Sequence, residues 1–457
     1  MTLKKGFFDF SLMRVILALA WPTMLEQLLH TAVQYVDTAM VGSLGTDAVA
    51  AVGSTSTVSW LVGSTVSAFG VGFLSYIAKR LGACDWESAR RASAQAALTV
   101  LCLGTVMTVL TTSLFRAVPV MMRVDPAVRD TAALYFLIIY LPMLPRVAHT
   151  VFGTVLRAAG DTRSPMLVSL AVNGINVLLN FLLIYECRTV SVLGLSLFIP
   201  GAGMGVIGAA VASAASYTLG GILVTVIYLK HKTVSPIGYT LRPDKAILAP
   251  CLRVAMPNML QRFATSLGYV VFASMINALG GVATAAHTIA NTVESAFYIP
   301  GYGMQSAAAT LAGNCVGAND RARLCRLVRT FIPIEVALMA ISGAALFVLA
   351  PYFCDIFSDS EEVIALGTAV LRMVALSEAP YGFSIIIEGV MQGVGKTRLP
   401  FVFNVVGMWA VRILGTFIFT ILLPGGTLVT AWGCMIAHNL LLFVLFLVAY
   451  IKGAYSA

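Results

Sequence analysis

The sequence predicts an all-α membrane protein, with twelve transmembrane helices in two parallel-repeat six-helix bundles. Three observations predict it: an apolar composition, apolar stretches that recur along the whole chain, and an internal repeat. Of the 457 residues 59% are hydrophobic and 11% charged, and the mean hydropathy is +0.90. A soluble domain carries roughly 45–50% apolar and about 25% charged residues. Apolar runs recur from Val15 to Tyr450 with short polar breaks, so no soluble domain of useful size fits beside them. At the ~20 apolar residues that cross a bilayer, plus short connectors, there is room for about a dozen crossings.

Apolar windows and their Gly/Pro and charged breakers place helices at 15–40, 48–78, 92–116, 128–154, 164–186, 204–230, 247–278, 284–312, 327–351, 364–391, 400–423 and 428–452. The first of them follows Lys4 and Lys5 and runs through Trp21-Pro22 and Glu26-Gln27 without a small-residue cleavage site, so it reads as a retained helix. Assigning the connectors alternately to two sides puts 21 Lys and Arg residues, from Lys4 to Lys452, beside the N-terminus. Arg116, Arg123, Arg129 and Arg188 fall on the other side. The positive-inside rule then sets both termini in the cytoplasm, an outcome that requires an even number of helices. The expected location is the cell (inner) membrane, as a multi-pass monomer.

The net charge of +9 is spread through these short loops and forms no basic face, which argues against a nucleic-acid partner. The 8 cysteines have neither zinc-ligand spacing nor the density of a disulfide framework. Cys102, Cys251 and Cys434 lie in or beside apolar runs and read as small apolar residues.

Laid on itself at a shift of 235, the chain pairs Trp21-Pro22 with Met256-Pro257, Leu44-Gly45 with Leu279-Gly280, Asp85 with Asp320, Arg91 with Arg326 and Pro145 with Pro380. The stretch VLRAAGDTRSP from Val155 meets VMQGVGKTRLP from Val390 in the same register. A shift spanning six helices gives both halves the same orientation, so the repeat is parallel, with its axis along the membrane normal. The expected lobes are 1–229 and 247–457, joined by a cytoplasmic linker at 230–246. Two similar lobes around a midplane cavity suit a transporter; duplication also builds channels and scaffolds.

Ionisable side chains are expensive in lipid, about 2.5–3.5 kcal/mol at a helix centre, so each invites a functional hypothesis. Asp37, in YVDTAMVGSLG of the first helix, is the leading candidate for a cation-coupling carboxylate; a helix-end residue snorkelling to the outer water is its alternative. On the fifth helix Asn173, Asn176 and Asn180 have spacings of three and four and form one stripe. Amide oxygens are hard ligands for a small cation, and amide N–H groups bond a carboxyl in either protonation state. Ser213, in GAAVAS of the sixth helix, completes the site or serves packing. If the coupling ion is sodium, Asp37, Asn176 and Asn180 are its ligands.

Glu26 follows Pro22 by one turn, and Gln261 is its repeat partner. Glu26, Gln261, Glu294 and Glu388 are candidates for binding a substrate amine. Glu294, Glu378 and Glu388, with Arg146, Arg262, Arg372 and Arg412, can instead form interhelical salt bridges, since uncompensated burial is costly. His30, His149, His287 and His438 are scattered singly and carry no assigned role. There is no Walker sequence, and Gly201, Gly203, Gly205 and Gly208 open a helix with no preceding strand. ATP is therefore not expected to drive the protein, no cofactor and no enzymatic activity are expected, and an ion gradient of H+ or Na+ is left. The 19 methionines and 10% aromatic residues suit an adaptable cavity for amphipathic organic cations.

Taken together, the WP of the first helix, VDTAMVGSLG, RAAGDTRSP, NVLLN at Asn176–Asn180 and GMQSAAATLAGNCVGAND from Gly303 resemble the multidrug and toxic compound extrusion (MATE) transporters. That resemblance covers nearly the whole chain. It implies a V-shaped pair of six-helix bundles that exports drugs, metabolites or toxins in exchange for sodium or protons. It matches Asp37 to the family's coupling carboxylate and Asn176 and Asn180 to its cation site; in the expected cycle Asp37 takes up a cation and the first helix bends near Pro22. Asn180 stands where many members have aspartate, and the seventh helix shows Gln261, Arg262 and Thr265 with no acid. The chain therefore looks closer to the DNA-damage-inducible type branch. A lipid-linked oligosaccharide flippase of the same superfamily, or a channel or receptor, is the alternative function.

Overall fold

In a computed structural model of the chain, residues 10–455 are described apart from 123, 193–194 and 424. Lys4, Lys5 and Arg123 lie outside the described residues. The helices of the first repeat are α1 (Phe10–Gly42), α2 (Thr46–Gly82), α3 (Trp86–Ser113), a short α4 (Ala117–Met121), α5 (Arg129–Tyr140), α6 (Met143–Ala158), α7 (Arg163–Leu183) and α8 (Gly205–Lys230). The second repeat has α9 (Lys245–Asn277), α10 (Gly281–Gly317), α11 (Arg321–Phe357), α12 (Glu361–Ala375), α13 (Glu378–Val394), α14 (Arg398–Leu422) and α15 (Leu428–Ile451). Between α7 and α8 an antiparallel hairpin pairs β1 (Glu186–Val192) with β2 (Leu195–Ala202).

Among the described residues eight helices are long and apolar enough to cross a membrane, and two bent pairs, α5–α6 at 49° and α12–α13 at 53°, bring the total to ten. The remaining two of the twelve spans are α9 and α10. They have 33 and 37 residues, and their ends lie 235 residues after those of α1 and α2. Three prolines, two arginines and several amides make these two helices less apolar than the other spans.

The repeat is written into the backbone as well. Gly45 and Gly280 share positive φ (112° and 104°), as do Cys84 and Asn319 (58° and 53°) and Gly160 and Gly395 (85° and 82°). Each pair is separated by 235. Capping bonds recur in the same register: Asp85 N–H bonds Arg80 O as Asp320 N–H bonds Cys315 O, and Asp161 N–H bonds Leu156 O as Lys396 N–H bonds Met391 O. Even the two bends match, falling at Leu141–Pro142 and Leu376–Ser377. The register is lost only at the sixth span, where the first repeat inserts its hairpin.

By packing, the described chain forms two compact units. One holds α1 up to Gln27, Leu74–Asp85 at the end of α2, and the chain from Pro250 onward; the other holds Leu28–Phe73 and Trp86–Ala249. In the first unit Ile16 and Ala20 of α1 bury against Ala308, Phe331, Ile386 and Phe446, and a second cluster surrounds Phe272, Leu346, Val370 and Trp432. Lipid tails are as apolar as these side chains, so close backbone approach must hold the helices together. Glycines permit it: a Cβ at Gly393 of α13 would lie 2.0 Å from the Ala309 carbonyl oxygen of α10, and one at Gly389 would lie 2.6 Å from that of Gln305. In the other unit Val41, Tyr135, Ile184 and Ala210 form a small core. There Phe152 stacks on Tyr228 with centroids 4.1 Å apart, and the Tyr228 hydroxyl donates to Ser93 O at 2.6 Å.

Candidate functional site

Asp37, Asn176, Asn180 and Ser213 are brought together within one compact unit. Asp37 sits partly buried on the last turns of α1. Asn176 and Asn180 are buried on α7, one turn apart, with Asn180 fully covered. The Asn180 Nδ2 donates to Asp37 Oδ1 at 2.5 Å and to Asn176 Oδ1 at 3.2 Å. In turn, Asn176 Nδ2 donates to Ser213 Oγ on α8 at 3.2 Å. One polar chain thus crosses three helices. Its acceptors and donors alternate, and the Asn180 Oδ1 is buried with no partner among the described residues. Asn173, one turn earlier on α7, stays out of this chain; its Nδ2 is buried with no partner among the described residues.

Tyr185, just past α7, adds a contact the sequence did not single out. Its hydroxyl lies 2.9 Å from Ser43 Oγ and donates to Met40 O at 3.4 Å, joining the end of α1 to the end of α7 below Asp37 and Asn180. The VDTAMVGSLG motif thus meets α7 twice.

In the second repeat Glu388 of α13 is held by three amides. Gln261 Nε2 of α9 and Gln392 Nε2 donate to its Oε1 at 2.9 and 3.1 Å, and Asn404 Nδ2 of α14 donates to Oε2 at 3.2 Å. Gln261 and Glu388 therefore do belong together; Gln392 and Asn404 are the members the sequence did not mark. Arg262, next to Gln261, donates to Asn258 Oδ1 at 3.0 Å. Glu294 lies buried on α10. Glu26 is partly buried on α1, one turn beyond the buried Pro22. Pro22 lies inside a continuous helix, where its missing N–H removes one backbone bond and weakens the helix at that turn.

The expected intramembrane salt bridges are not formed. Among the described residues Arg146, Arg262, Arg372 and Arg412 have no carboxylate within 4.0 Å. Ring faces take the carboxylates' place. Arg146 stands over Tyr217 and Tyr140 at 4.7 and 5.5 Å, and Arg372 over Phe347 at 5.3 Å. Arg412, in a π-helical turn of α14 (Gly407–Ile413), lies over Phe272 and Tyr269 at 4.3 and 4.8 Å. A ring quadrupole stabilises a guanidinium more cheaply than a carboxylate that would itself need desolvation. Of the histidines, His287 accepts from Trp432 Nε1 at 3.3 Å, while both ring nitrogens of His438 are buried without partners among the described residues.

Two repeats of six spans, bent at equivalent positions and carrying a polar chain across α1, α7 and α8, define a multi-pass membrane transporter. The chain belongs to the MatE family, whose sequence pattern matches residues 22–182 and 257–418, one copy in each repeat. It is 25% identical to the probable multidrug resistance protein NorM of Thermotoga maritima over 96% of this chain and 92% of the relative. It is 26% identical to the probable multidrug resistance protein YoeA of Bacillus subtilis, over 87% and 84% of the two chains. A crystal structure of a MATE transporter in complex with MaL6 has the same fold, with a TM-score of 0.89 at 22% identity over 97% of this chain and 96% of that one.

Proposed function

We propose that this chain is a cation-coupled antiporter that exports amphipathic organic cations, drugs or toxic metabolites by alternating access, using H+ or Na+ as the coupling ion. The polar chain Asp37–Asn180–Asn176–Ser213 carries the reading. A single carboxylate among amide and hydroxyl groups, between three helices, offers one negative charge that a proton or a small cation can neutralise. Neutralising it changes what α1 gains from staying against α7. Pro22 gives α1 a weak turn about which its two parts can move apart.

Glu26, Gln261, Glu294 and Glu388 supply the acidic and amide groups for a substrate amine, with aromatic rings to cover its apolar part. Glu388 is already met by three amides, so a bound cation displaces at least one of them. The relatives named as multidrug resistance proteins support export of small molecules. Absence of an acid on α9 beside Gln261 favours coupling through the first repeat, as in the DNA-damage-inducible type branch. The distribution of Lys and Arg favours cytoplasmic termini in an inner membrane, with lobes 1–229 and 247–457 on either side of the linker.

The deciding experiment is efflux of a fluorescent organic cation from proteoliposomes under separately imposed sodium and proton gradients. Efflux that responds to one gradient supports the antiporter and names its ion; efflux indifferent to both overturns it.

A further inference from the structure

The shift of 235 that pairs the two repeats sets Phe272 of α9 at the place of Asp37, and Arg412 of α14 at that of Val177, next to Asn176 on α7. Where the first repeat brings a carboxylate to amides, the second brings a ring to a guanidinium. The Arg412 Cζ lies 4.3 Å from the Phe272 centroid and 4.8 Å from that of Tyr269. Arg412 is 3% exposed and sits in the π-helical turn Gly407–Ile413, a local widening that is frequent at functional sites. Opposite this turn, α15 carries Met435 and His438 three residues apart. Arg412 Nη2 lies 2.8 Å from Met435 Sδ. Gly407, the first residue of the turn, packs on the His438 ring: a Cβ there would lie 2.8 Å from His438 Nε2.

The rings satisfy only part of the guanidinium. They take its flat face, while its five N–H bonds lie in its plane and need acceptors. The Arg412 Nε is buried with no partner among the described residues, and a thioether such as that of Met435 is a weak acceptor. His438 is 5% exposed, and neither ring nitrogen has a partner among the described residues. In either neutral tautomer one of those nitrogens is a donor. The Arg412 charge reaches His438, His287 and Glu294 of α10, but no carboxylate lies within 4.0 Å of it among the described residues. Glu294 therefore acts on Arg412 only at a distance.

Buried donors gathered around one positive charge, with no acceptor of their own, are the electrostatic complement of the carboxylate and amides at Asp37. We propose that Arg412 and His438 form a binding site for a singly charged anion, a halide ion or a carboxylate group, at the place in the second repeat equivalent to Asp37 and Asn176 in the first. The anion accepts N–H bonds from Arg412 Nε and from the His438 ring. Tyr269, Phe272 and Met435 make the walls apolar. Taking a doubly charged sulfate or phosphate out of water against such walls costs more than one guanidinium returns. A single charge is selected for that reason. The site does not depend on the coupling ion at Asp37, so either assignment can fail without the other.

Equilibrium binding of radiolabelled chloride, and of radiolabelled benzoate, to the full chain in lipid nanodiscs tests it. Saturable binding of at least one probe is expected, weaker by about tenfold or more in Arg412→Met and in His438→Phe, each of which removes a hydrogen bond to a charged group. Arg412→Lys keeps the charge and should retain part of the affinity. Glu294→Gln removes a neighbouring negative charge and should raise it. Chloride binding that acetate displaces identifies a free anion; benzoate binding without chloride binding identifies the carboxylate of an aromatic substrate. Sulfate should displace neither probe. Saturation by neither, an affinity in Arg412→Met equal to the parent's, or displacement by sulfate as effective as by acetate overturns the proposal. Thermal melts establish that each variant is folded. Should Arg412→Met misfold, His438→Phe and Glu294→Gln decide, and an affinity unmoved in both is equally fatal.

Discussion

Gly82 and Gly317 hold the same place in the two repeats, and each lies against the residue that precedes the other by three. A Cβ at Gly82 would be 2.1 Å from the Asn314 carbonyl oxygen, and a Cβ at Gly317 would be 1.8 Å from that of Lys79. Since 79 and 314 also differ by 235, the ends of α2 and α10 cross about a local two-fold. Lys79 Nζ donates to Val394 O at 2.7 Å beside this crossing, and Ser75 Oγ to Gly393 O at 2.9 Å.

The crossing has no room for a side chain on either helix. Gly82→Leu and Gly317→Leu are each expected to destabilise the protein by about 1–3 kcal/mol or more through overpacking, read as a lower thermal midpoint in detergent. Midpoints equal to the parent's would show that the two helix ends are not held at this distance.

Replacing Asp37 with Asn should abolish gradient-driven efflux while leaving the thermal midpoint near the parent value, because the amide fills the same space. Asn180→Ala is expected to act differently. It leaves Asp37 without its donor and Asn176 without its neighbour, costing about 1–3 kcal/mol of stability, visible in the same melts. If Asp37→Asn pumps normally, the carboxylate is not the coupling group.

Glu388→Gln should be less stable than Glu388→Ala would suggest from size alone. Its new NH2 must face one of three amide donors, from Gln261, Gln392 or Asn404. The expected loss is again about 1–3 kcal/mol. Adding Gln261→Glu, which turns one donor into an acceptor, should recover part of it in a double-mutant comparison; strict additivity would separate the two residues.

His231, at the end of α8 outside the membrane spans, titrates below the usual imidazole range because burial disfavours its charged form, although nearby Asp161 opposes this. A group with a depressed folded pKa binds its proton first in the unfolded chain. Its contribution to stability is therefore present above the ordinary value of 6.5 and is lost as pH falls from there through the folded pKa. His231→Gln should flatten the decline in thermal midpoint over that mildly acidic range. An unchanged decline would place the acid sensitivity elsewhere.

Most of the architecture was legible because it is periodic. Apolar windows and breakers located all twelve spans, α9 and α10 among them, and the 235-residue shift runs in register with both. The breaks at Leu141–Pro142 and Leu376–Ser377 were hidden, since the apolar run continues across each and a bend costs only a few backbone bonds. The hairpin at Glu186–Ala202 was read as a connector and the glycines from Gly201 as opening a helix with no strand before it, whereas β2 runs through Gly201 to Ala202 just before α8; the alternating CRTVSV carries a faint period of two. The stripe of Asn176 and Asn180 was visible from its spacing and did reach Asp37; Asn173 shared the spacing and was left aside. The arginines were misjudged for another reason: a sequence shows which charges are buried, but not which ring faces surround them.

One detail of the Asp37 chain reaches further. The Asn180 amide directs its nitrogen at two acceptors and leaves its oxygen idle. Turned through half a revolution, the same group would present an oxygen to the Asp37 carboxylate and the Asn176 oxygen, an arrangement that repels unless a positive ion sits among them. The hydrogen-filled and ion-filled settings use identical residues. Under the coupling proposed above, the choice between a proton and a metal ion at this place follows the orientation of one amide and needs no change of residue.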